Sequence, residues 1–200
     1  MRFVVALRRA SPQVLLLALL AGCAGLPPTA PVLAPAGLPG KVLTVFNMNG
    51  RIGARYDGKG FYGNVRWRHD AAGDEVWLLS PLGQAVAQLT RDAGGVDLLT
   101  SDQRRFHAAD AETLTEDVLG WRLPLQGLAY WVQGRPAPGG GAEAREATAD
   151  GGVRLRQAGW TIELDKFSVV DGASLPGSVS LRRDGLEVKL AVERWQVGRE

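Results

Sequence analysis

The sequence predicts an α+β fold built on a largely antiparallel sheet. Short segments of alternating polar and apolar residues fill residues 45–107 and return over residues 153–195. Between them, residues 110–134 carry the apolar spacing of two short helices. Strands and helices do not alternate along the chain, so the pattern favours helices packed on one face of an antiparallel sheet over a parallel sheet with crossover helices.

Six short strands are predicted in the first half of the chain. They lie at residues 45–52, 61–68, 76–79, 85–90, 96–99 and 104–107. Gly50 interrupts the first strand and predicts a β-bulge there. Residues 58–60, Gly-Lys-Gly, predict the turn of a hairpin between the first two strands. Short strands at this spacing are typical of an antiparallel sandwich or barrel.

Two short helices are predicted in the middle of the chain. Asp110 is a good N-cap for the first helix, and Gly120 predicts its end. Pro124 suits the first position of the second helix, which Gly134 is expected to stop. The apolar helix positions, spaced three and four apart, are Ala111, Leu114 and Val118, then Leu125, Leu128, Ala129 and Val132, with Trp131 beside them.

Four more strands are predicted after the helices, at residues 153–157, 160–166, 179–183 and 186–195. The last two are joined by Asp184 and Gly185, a pair that strongly favours a two-residue hairpin turn. The second half therefore continues the antiparallel sheet.

The N-terminus predicts a lipoprotein signal peptide over residues 1–22. Three arginines form a basic start, an apolar run covers residues 14–20, and small residues precede Cys23. We expect cleavage before Cys23 and acylation of that cysteine, which anchors the protein to a membrane without spanning it. The alternatives are an ordinary signal peptide with a chance cysteine, or an N-terminal core helix.

Residues 23–42 are predicted to be the lipidated cysteine and a proline-rich tether, and residues 43–200 one folded domain. Five prolines lie between residues 27 and 39, which is too dense for a helix or a sheet. The apolar residues of the tether leave open the alternative that it lies on the bilayer surface. The remaining chain is long enough to bury a sizeable core.

Composition argues against a nucleic-acid partner. The formal charge of the 200 residues is +2, but three basic residues lie in the signal peptide and all 21 acidic residues follow Cys23. The mature chain would carry 20 basic residues against 21 acidic ones, with no excess positive charge for nucleic acid. Cys23 is the only cysteine, so no disulfide within the chain can stabilise the domain.

Catalytic motifs are missing from the sequence, so we expect no enzyme, no metal and no cofactor. His69 and His107 have no metal-ligand spacing and are interpreted as a solvated turn residue and a strand-end residue. No Gly-x-Ser-x-Gly elbow is present. Residues 53–60 approach a P-loop but lack the hydroxyl residue that would hold Mg²⁺, which argues against nucleotide binding.

The apolar helix faces leave two interpretations open. A curved sheet capped by amphipathic helices can enclose an apolar pocket, which is the usual kind of ligand site. The same residues can instead fill a closed core. Periodicity alone does not separate the two.

Several segments of the predicted domain form an ordered pattern behind the lipoprotein signal. They lie at residues 49–52, 61–67, 78–84, 108–112, 119–120 and 123–125, at Leu128, Trp131, Gly134 and Gln157, at residues 159–160 and at Trp195. Together they resemble the LolB family of outer-membrane lipoprotein receptors over almost the whole domain. The tether and the glycine run at residues 139–141 have no distinctive match.

The resemblance implies a fold and a function. The fold is an incomplete antiparallel β-barrel, a strongly curved sheet with a helical lid over an apolar cavity. The function is that of an outer-membrane-anchored receptor that accepts acylated lipoproteins from a periplasmic LolA-like carrier. It inserts them into the inner leaflet of the outer membrane without nucleotide hydrolysis. We expect a monomer on the periplasmic face, held in outer-membrane lipid through Cys23.

One residue role also comes from the resemblance. Members of the family carry a leucine on a protruding loop that is implicated in pushing lipoproteins into the bilayer. The matching residue is Leu82, which Pro81 and Gly83 are expected to hold in a tight, solvent-exposed turn. The alternative is that Leu82 folds back into the core.

We expect the helix faces to form part of an acyl-chain cavity. The candidate wall residues are Leu114, Val118, Leu125, Leu128 and Val132, with Trp67, Trp131 and Trp160 as further candidates. Two other functions stay open: a structural or assembly lipoprotein of the envelope with no lipid cavity, and a hydrolase that uses His69 or His107.

Overall fold

The computed structural model describes residues 42–120, 122–140 and 144–198. Within these ranges the chain forms one 11-stranded antiparallel sheet, a separate two-stranded sheet and two short helices. The predicted α+β class is therefore confirmed. The predicted signal peptide, Cys23 and all of the tether except Val42 lie outside the described residues.

The first six strands form a meander in which each strand pairs antiparallel with the one before it. They are β1 (Phe46–Tyr56), β2 (Lys59–Asp70), β3 (Gly73–Leu79), β4 (Ala85–Asp92), β5 (Gly95–Thr100) and β6 (Arg105–Ala108). All six predicted strands are confirmed, with ends shifted by up to a few residues.

Seven strands follow the helices. They are β7 (Ala144–Ala147), β8 (Val153–Gln157), β9 (Trp160–Asp165), β10 (Ser168–Val170), β11 (Ala173–Leu175), β12 (Ser178–Arg183) and β13 (Leu186–Val197). The four predicted strands are confirmed as β8, β9, β12 and β13, whereas β7, β10 and β11 are not predicted. The two short strands β10 and β11 form the separate sheet.

The large sheet is open. Its strand order is β6-β5-β4-β3-β2-β1-β13-β12-β9-β8-β7, so β13 pairs with β1 and joins the two halves. Among the described residues no pairing links the edge strands β6 and β7. The architecture is therefore an incomplete antiparallel barrel.

Glycines set the shape of the central strand β1. The register between β1 and β13 shifts at Asn49 and Gly50, which confirms the predicted bulge. A Cβ atom on Gly50 would overlap the Ala191 carbonyl oxygen, so the close approach of β13 requires glycine there.

Two hairpin turns of the large sheet, between β1 and β2 and between β12 and β13, have two residues each. Asp184 and Gly185 have φ angles of 48° and 80°, as the predicted hairpin turn requires. Asp57 and Gly58 have φ angles of 48° and 70° and form the turn before β2. The predicted turn at residues 58–60 is wrong by one residue, because Lys59 already pairs with Tyr56.

Two helices connect the edge strands β6 and β7. Helix α1 is Ala111–Leu119; the Asp110 side chain accepts a hydrogen bond of 2.8 Å from the Thr113 N–H, and Gly120 ends it at a φ of 78°. Helix α2 is Leu125–Trp131, with Pro124 as its N-cap rather than its first residue. Of the helices in the described part of the chain, neither is long and apolar enough to cross a membrane.

One hydrophobic core contains residues of both the large sheet and the helices. Phe46 and Ile162 from the sheet are fully buried, as is Val132 just after α2. Leu114 of α1 and Leu125 of α2 belong to the same cluster. The helices therefore bury their apolar faces against the sheet, as the spacing predicts.

Candidate functional site

An apolar cavity of about 20 Å³ lies in the core between the sheet and α2. Its walls come from β1, β2, β3 and β13 on one side and from α2 with Leu123 on the other. The lining residues are Met48, Ile52, Val65, Trp67, Val76, Leu78, Leu123, Leu125, Leu128 and Leu190. A space of this size holds about one water molecule, whereas pockets for small-molecule ligands measure roughly 300–1,000 Å³. The core is therefore nearly filled in this conformation.

Three of the predicted wall residues line this cavity: Trp67, Leu125 and Leu128. Leu114, Val132, Trp131 and Trp160 are buried in the same core but do not line it, and Val118 is partly buried at its margin. The structure thus brings the face of α2 onto the cavity and places the other candidates around it.

Trp131 and Trp160 line a separate, open groove of about 540 Å³ beside α2. Their ring centroids are 5.9 Å apart, and the Arg183 guanidinium lies 5.9 Å from the Trp160 ring centroid. Glu112 also lines the groove, and burial raises the pKa of its carboxyl above the ordinary value. Charged groups therefore interrupt this aromatic wall, in contrast to the apolar cavity.

Gln157 holds the end of α2 against β8. Its buried side-chain oxygen accepts hydrogen bonds from Trp131 Nε1 at 2.7 Å and from the Ala137 N–H at 2.8 Å. Its amide nitrogen donates to the carbonyl oxygens of Ala137 and Gly140. This pairing fixes the Trp131 indole and the segment that follows α2.

The Trp67 indole is held in place by a hydrogen bond to the buried carboxylate of Asp74. Trp67 Nε1 donates a hydrogen bond of 2.8 Å to Asp74 Oδ1, and His69 Nδ1 lies 2.7 Å from the same oxygen. Arg91 Nε donates to Asp74 Oδ2 at 2.7 Å. Phe46 packs edge-on against Trp67, with ring centroids 5.2 Å apart. One wall of the cavity is therefore tied to a polar cluster on the strands β2, β3 and β4.

The environment of Asp74 favours its charged form. Burial acts to raise the pKa of this carboxyl, but the hydrogen bonds from His69, Trp67 and Arg91 together hold its pKa below the ordinary value of 3.8. The sequence does not single out Asp74 or Arg91, because only the strand register places residues 17 positions apart in contact. The interpretation of His69 as a solvated turn residue is wrong, since its side chain is only 17% exposed.

Leu82 stands out from the β3–β4 loop and is 90% exposed. The Ser80 N–H donates to the Gln84 carbonyl oxygen and the Gly83 N–H donates to the Ser80 carbonyl oxygen, both at 2.8 Å. Gly83 has a φ of 85°, which favours glycine. The loop is therefore tight and presents its leucine to solvent, as predicted, and Leu82 does not fold back into the core.

The metal prediction concerns residues that the structure describes, whereas the lipidation prediction does not. Among residues 42–120, 122–140 and 144–198, no group of three or more His, Cys, Asp or Glu residues is placed to hold a metal ion. The predicted lipidation site, Cys23, lies outside those residues.

The described residues form an open antiparallel sheet packed over two short helices, with an exposed leucine on a tight loop. These features define the class as an α+β fold of the incomplete-barrel type. The chain belongs to the family described as outer membrane lipoprotein LolB, whose family model matches residues 44–195. The resemblance noted from the sequence segments is therefore confirmed.

Alignments with two relatives span most of this chain and most of each relative. The outer-membrane lipoprotein LolB of Chromobacterium violaceum is 46% identical over 151 residues, which is 76% of this chain and 80% of the relative. The protein of the same name from Thiobacillus denitrificans is 37% identical over 179 residues, covering 88% and 91% of the two chains.

Among solved structures, the chain is similar to a LolA superfamily protein from Nitrosomonas europaea. The TM-score is 0.46 at 8% sequence identity, with 79% of this chain and 88% of the other chain covered.

Proposed function

We propose that this protein is an outer-membrane receptor that accepts acylated lipoproteins from a soluble periplasmic LolA-like carrier. It then inserts them into the inner leaflet of the outer membrane. The observation that carries the proposal is the match of residues 44–195 to the LolB family, because it covers nearly the whole folded domain. The relatives are named outer-membrane lipoproteins, which supports an outer-membrane location.

In this proposal the acyl chains of the cargo enter the core between α2 and the sheet. The cavity there is entirely apolar in its lining but measures about 20 Å³, so α2 must move away from β1 and β2 for a chain to enter. Each buried CH₂ group of an acyl chain contributes roughly 0.8 kcal/mol, which offsets the separation of the apolar surfaces of α2 and the sheet.

The direction of transfer then follows relative affinity. If the core of this protein binds acyl chains more tightly than the carrier does, the chains move from the carrier to this protein. The bilayer binds them more tightly still, so they then move into the membrane. No nucleotide and no catalytic step are needed, so we assign neither an enzyme activity nor a cofactor. We further propose that the protein acts as a monomer on the periplasmic face, anchored through acylated Cys23.

Leu82 is assigned to the delivery step. Its side chain is 90% exposed on a tight loop, which supports insertion into the acyl boundary of the membrane. Burying one leucine contributes roughly 1.5–3 kcal/mol. That is too little to hold a protein on a membrane, but enough to bias the loop toward the site of release.

The test is a transfer assay with a carrier loaded with an acylated lipoprotein. A form of this protein that begins at residue 24 is mixed with the loaded carrier without nucleotide, and a pull-down determines which protein holds the cargo. We expect the cargo to move to this protein. The form anchored in phospholipid vesicles is then expected to release it into the bilayer.

The structural-lipoprotein alternative is not favoured by the family match, and the same assay separates it from the proposal. Cargo that stays on an active carrier in the presence of folded protein would contradict a receptor role. A fluorescent fatty acid that fails to bind the folded protein would contradict the acyl-chain site specifically.

A further inference from the structure

A shallow groove of about 310 Å³ crosses β2, β1 and β13 on the outer face of the sheet. Tyr62, Gly53 and Lys189 form one cross-strand row, in which Gly53 pairs with both of the others. A Cβ atom on Gly53 would meet nothing within 4 Å. The missing side chain therefore opens the space between the tyrosine and the lysine.

The groove carries an excess of positive charge. Glu187 lies in it, but its carboxylate is already paired with Lys189 at 3.0 Å and with Arg182 at 3.3 Å, and the hydrogen bond from Lys189 is the main cause of its lowered pKa. Arg55 also lines the groove, and no ion pair involves it within the described residues. One carboxylate thus faces three cations, and Arg55 remains available to an anion.

The groove opens beside the Leu82 loop. Asn64 pairs with Leu79, the last residue of β3, and its side-chain nitrogen donates to the Ser80 carbonyl oxygen at 3.3 Å. Tyr62 lies two residues further toward the hairpin turn on the same face as Asn64, and is 60% exposed. An exposed tyrosine therefore borders the cationic groove on the side where the β3–β4 loop begins. A tyrosine beside cations and an exposed leucine are groups that favour a membrane–water interface.

We propose that this groove binds the phosphate headgroup of an anionic phospholipid while Leu82 enters the bilayer beside it. The inference rests on the proposed role of Leu82 in delivery. Arg55 and Lys189 contact the phosphate, Tyr62 lies at headgroup depth, and Gly53 leaves the space that the headgroup occupies. The two contacts together orient the domain on the leaflet that receives the cargo.

Photo-cross-linking tests the site on the whole anchored protein. The mature protein is reconstituted in phosphatidylcholine vesicles that contain a phosphatidylglycerol with a photoreactive headgroup, and cross-linked peptides are identified by mass spectrometry. We expect cross-links over residues 53–62 and 187–189. Cross-links spread evenly over the exposed surface, or absent from these two segments, would overturn the proposal.

Paired variants separate the groove from general attraction to the membrane. Gly53→Glu fills the groove with a carboxylate and Arg55→Glu reverses the available cation; each is expected to lower the cross-linking yield roughly fivefold or more, since one cation near an anionic surface contributes about that factor. Lys166→Glu, which reverses a cation outside the groove, is expected to keep the wild-type yield. Lys166 is exposed at the end of β9, with β1, β13 and β12 between that strand and β2.

Two further results are decisive. Inorganic phosphate that abolishes the cross-links in wild type at constant ionic strength would make the groove a free-phosphate site and overturn the phospholipid assignment. Equal losses in Gly53→Glu and Lys166→Glu would also overturn it. The measurement needs neither carrier nor cargo, so a failed transfer assay with intact groove cross-links would contradict the receptor role and leave this site standing.

Discussion

Leu82 contributes little to the packing of the domain, since it is 90% exposed. A large apolar side chain held in solvent by a tight loop favours a function outside the fold. Its replacement therefore separates function from stability better than replacement of any core residue.

We expect Leu82→Glu to keep acceptance of the cargo from the carrier and to lose its delivery to vesicles. Stability should change by no more than about 0.5 kcal/mol, because exposed substitutions have small effects. The control is Val169→Glu, at a residue that is 76% exposed on the separate small sheet. Equal loss of acceptance and delivery in Leu82→Glu would show that Leu82 is structural.

Asp74 gives the domain a defined dependence on pH. The pKa of Asp74 is lower in the folded protein than its ordinary value of 3.8, so the unfolded chain binds the proton more readily. The stabilising contribution is complete above that ordinary value and is lost as the pH falls through the lower pKa of the folded state. The free energy of unfolding should therefore decrease on acidification below about pH 4.

Asp74→Asn is expected to reduce the free energy of unfolding at neutral pH by about 1.5–3 kcal/mol and to weaken its acid dependence. The control is Asp97→Asn, because Asp97 pairs with His107 at 3.2 Å while both side chains are more than half exposed. That change should cost at most about 1 kcal/mol. Denaturant unfolding at several pH values measures both, and parallel pH profiles for wild type and Asp74→Asn would contradict the assignment.

Among the structural elements, helix α1 depends on its N-cap. The Asp110 carboxylate accepts hydrogen bonds from the Thr113 N–H and hydroxyl, so Asp110→Ala should lower the free energy of unfolding by about 1 kcal/mol. Asp117→Ala removes an exposed carboxylate from the same helix and should have little effect. Similar unfolding midpoints for the two variants would contradict the capping role.

Strand β1 offers a matched pair of glycines. A Cβ atom on Gly50 would overlap the Ala191 carbonyl oxygen, whereas one on Gly53 would meet nothing within 4 Å. We expect Gly50→Ala to destabilise the domain by about 1–3 kcal/mol and Gly53→Ala to be neutral or slightly stabilising. Thermal unfolding measures the difference, and equal stability of the two variants would show that β13 adjusts at the bulge.

Most elements could be predicted because their signals are local. Asp110 and Gly120 bound α1 by their own capping chemistry. The pair Asp184 and Gly185 strongly favours a two-residue turn because both positions need a positive φ angle. The strands β10 and β11 have three residues each, too few for alternation to register. The predicted position of the turn after β1 differs from the observed one by one residue. Glycines flank Lys59 on both sides, and either of them could adopt the positive φ angle that the turn needs.

At the scale of the whole molecule, the size of the cavity could not be predicted. Periodicity shows which face of α2 is apolar and therefore identifies Leu125 and Leu128, but a volume depends on how side chains from four strands and a helix interlock. The same limit applies to the cluster around Asp74, which exists only once β2, β3 and β4 are in register.

Leu128→Ala tests whether the filled core limits acyl-chain binding. The substitution should reduce the free energy of unfolding by about 2–5 kcal/mol, yet strengthen binding of a fluorescent fatty acid because less apolar contact must separate. Leu181→Ala, in β12 and away from the cavity, should show the loss of stability without the gain in binding. Equal affinity in both variants would place the acyl chain elsewhere.

The pairing of β1 with β13 has a consequence for how the domain forms and fails. Phe46 lies opposite Val197, so the middle of the sheet is assembled from the two ends of the folded domain. Contacts this distant in sequence slow folding. Until β13 forms, β1 is paired with β2 on one side only, and its other edge stays exposed. Removal of an edge strand would leave the rest of a sheet intact. Removal of β13 would instead divide this sheet in two and expose the unpaired edges of β1 and β12, each of which could pair with another chain and aggregate. A single proteolytic cleavage just before β13 would therefore separate the sheet into two halves.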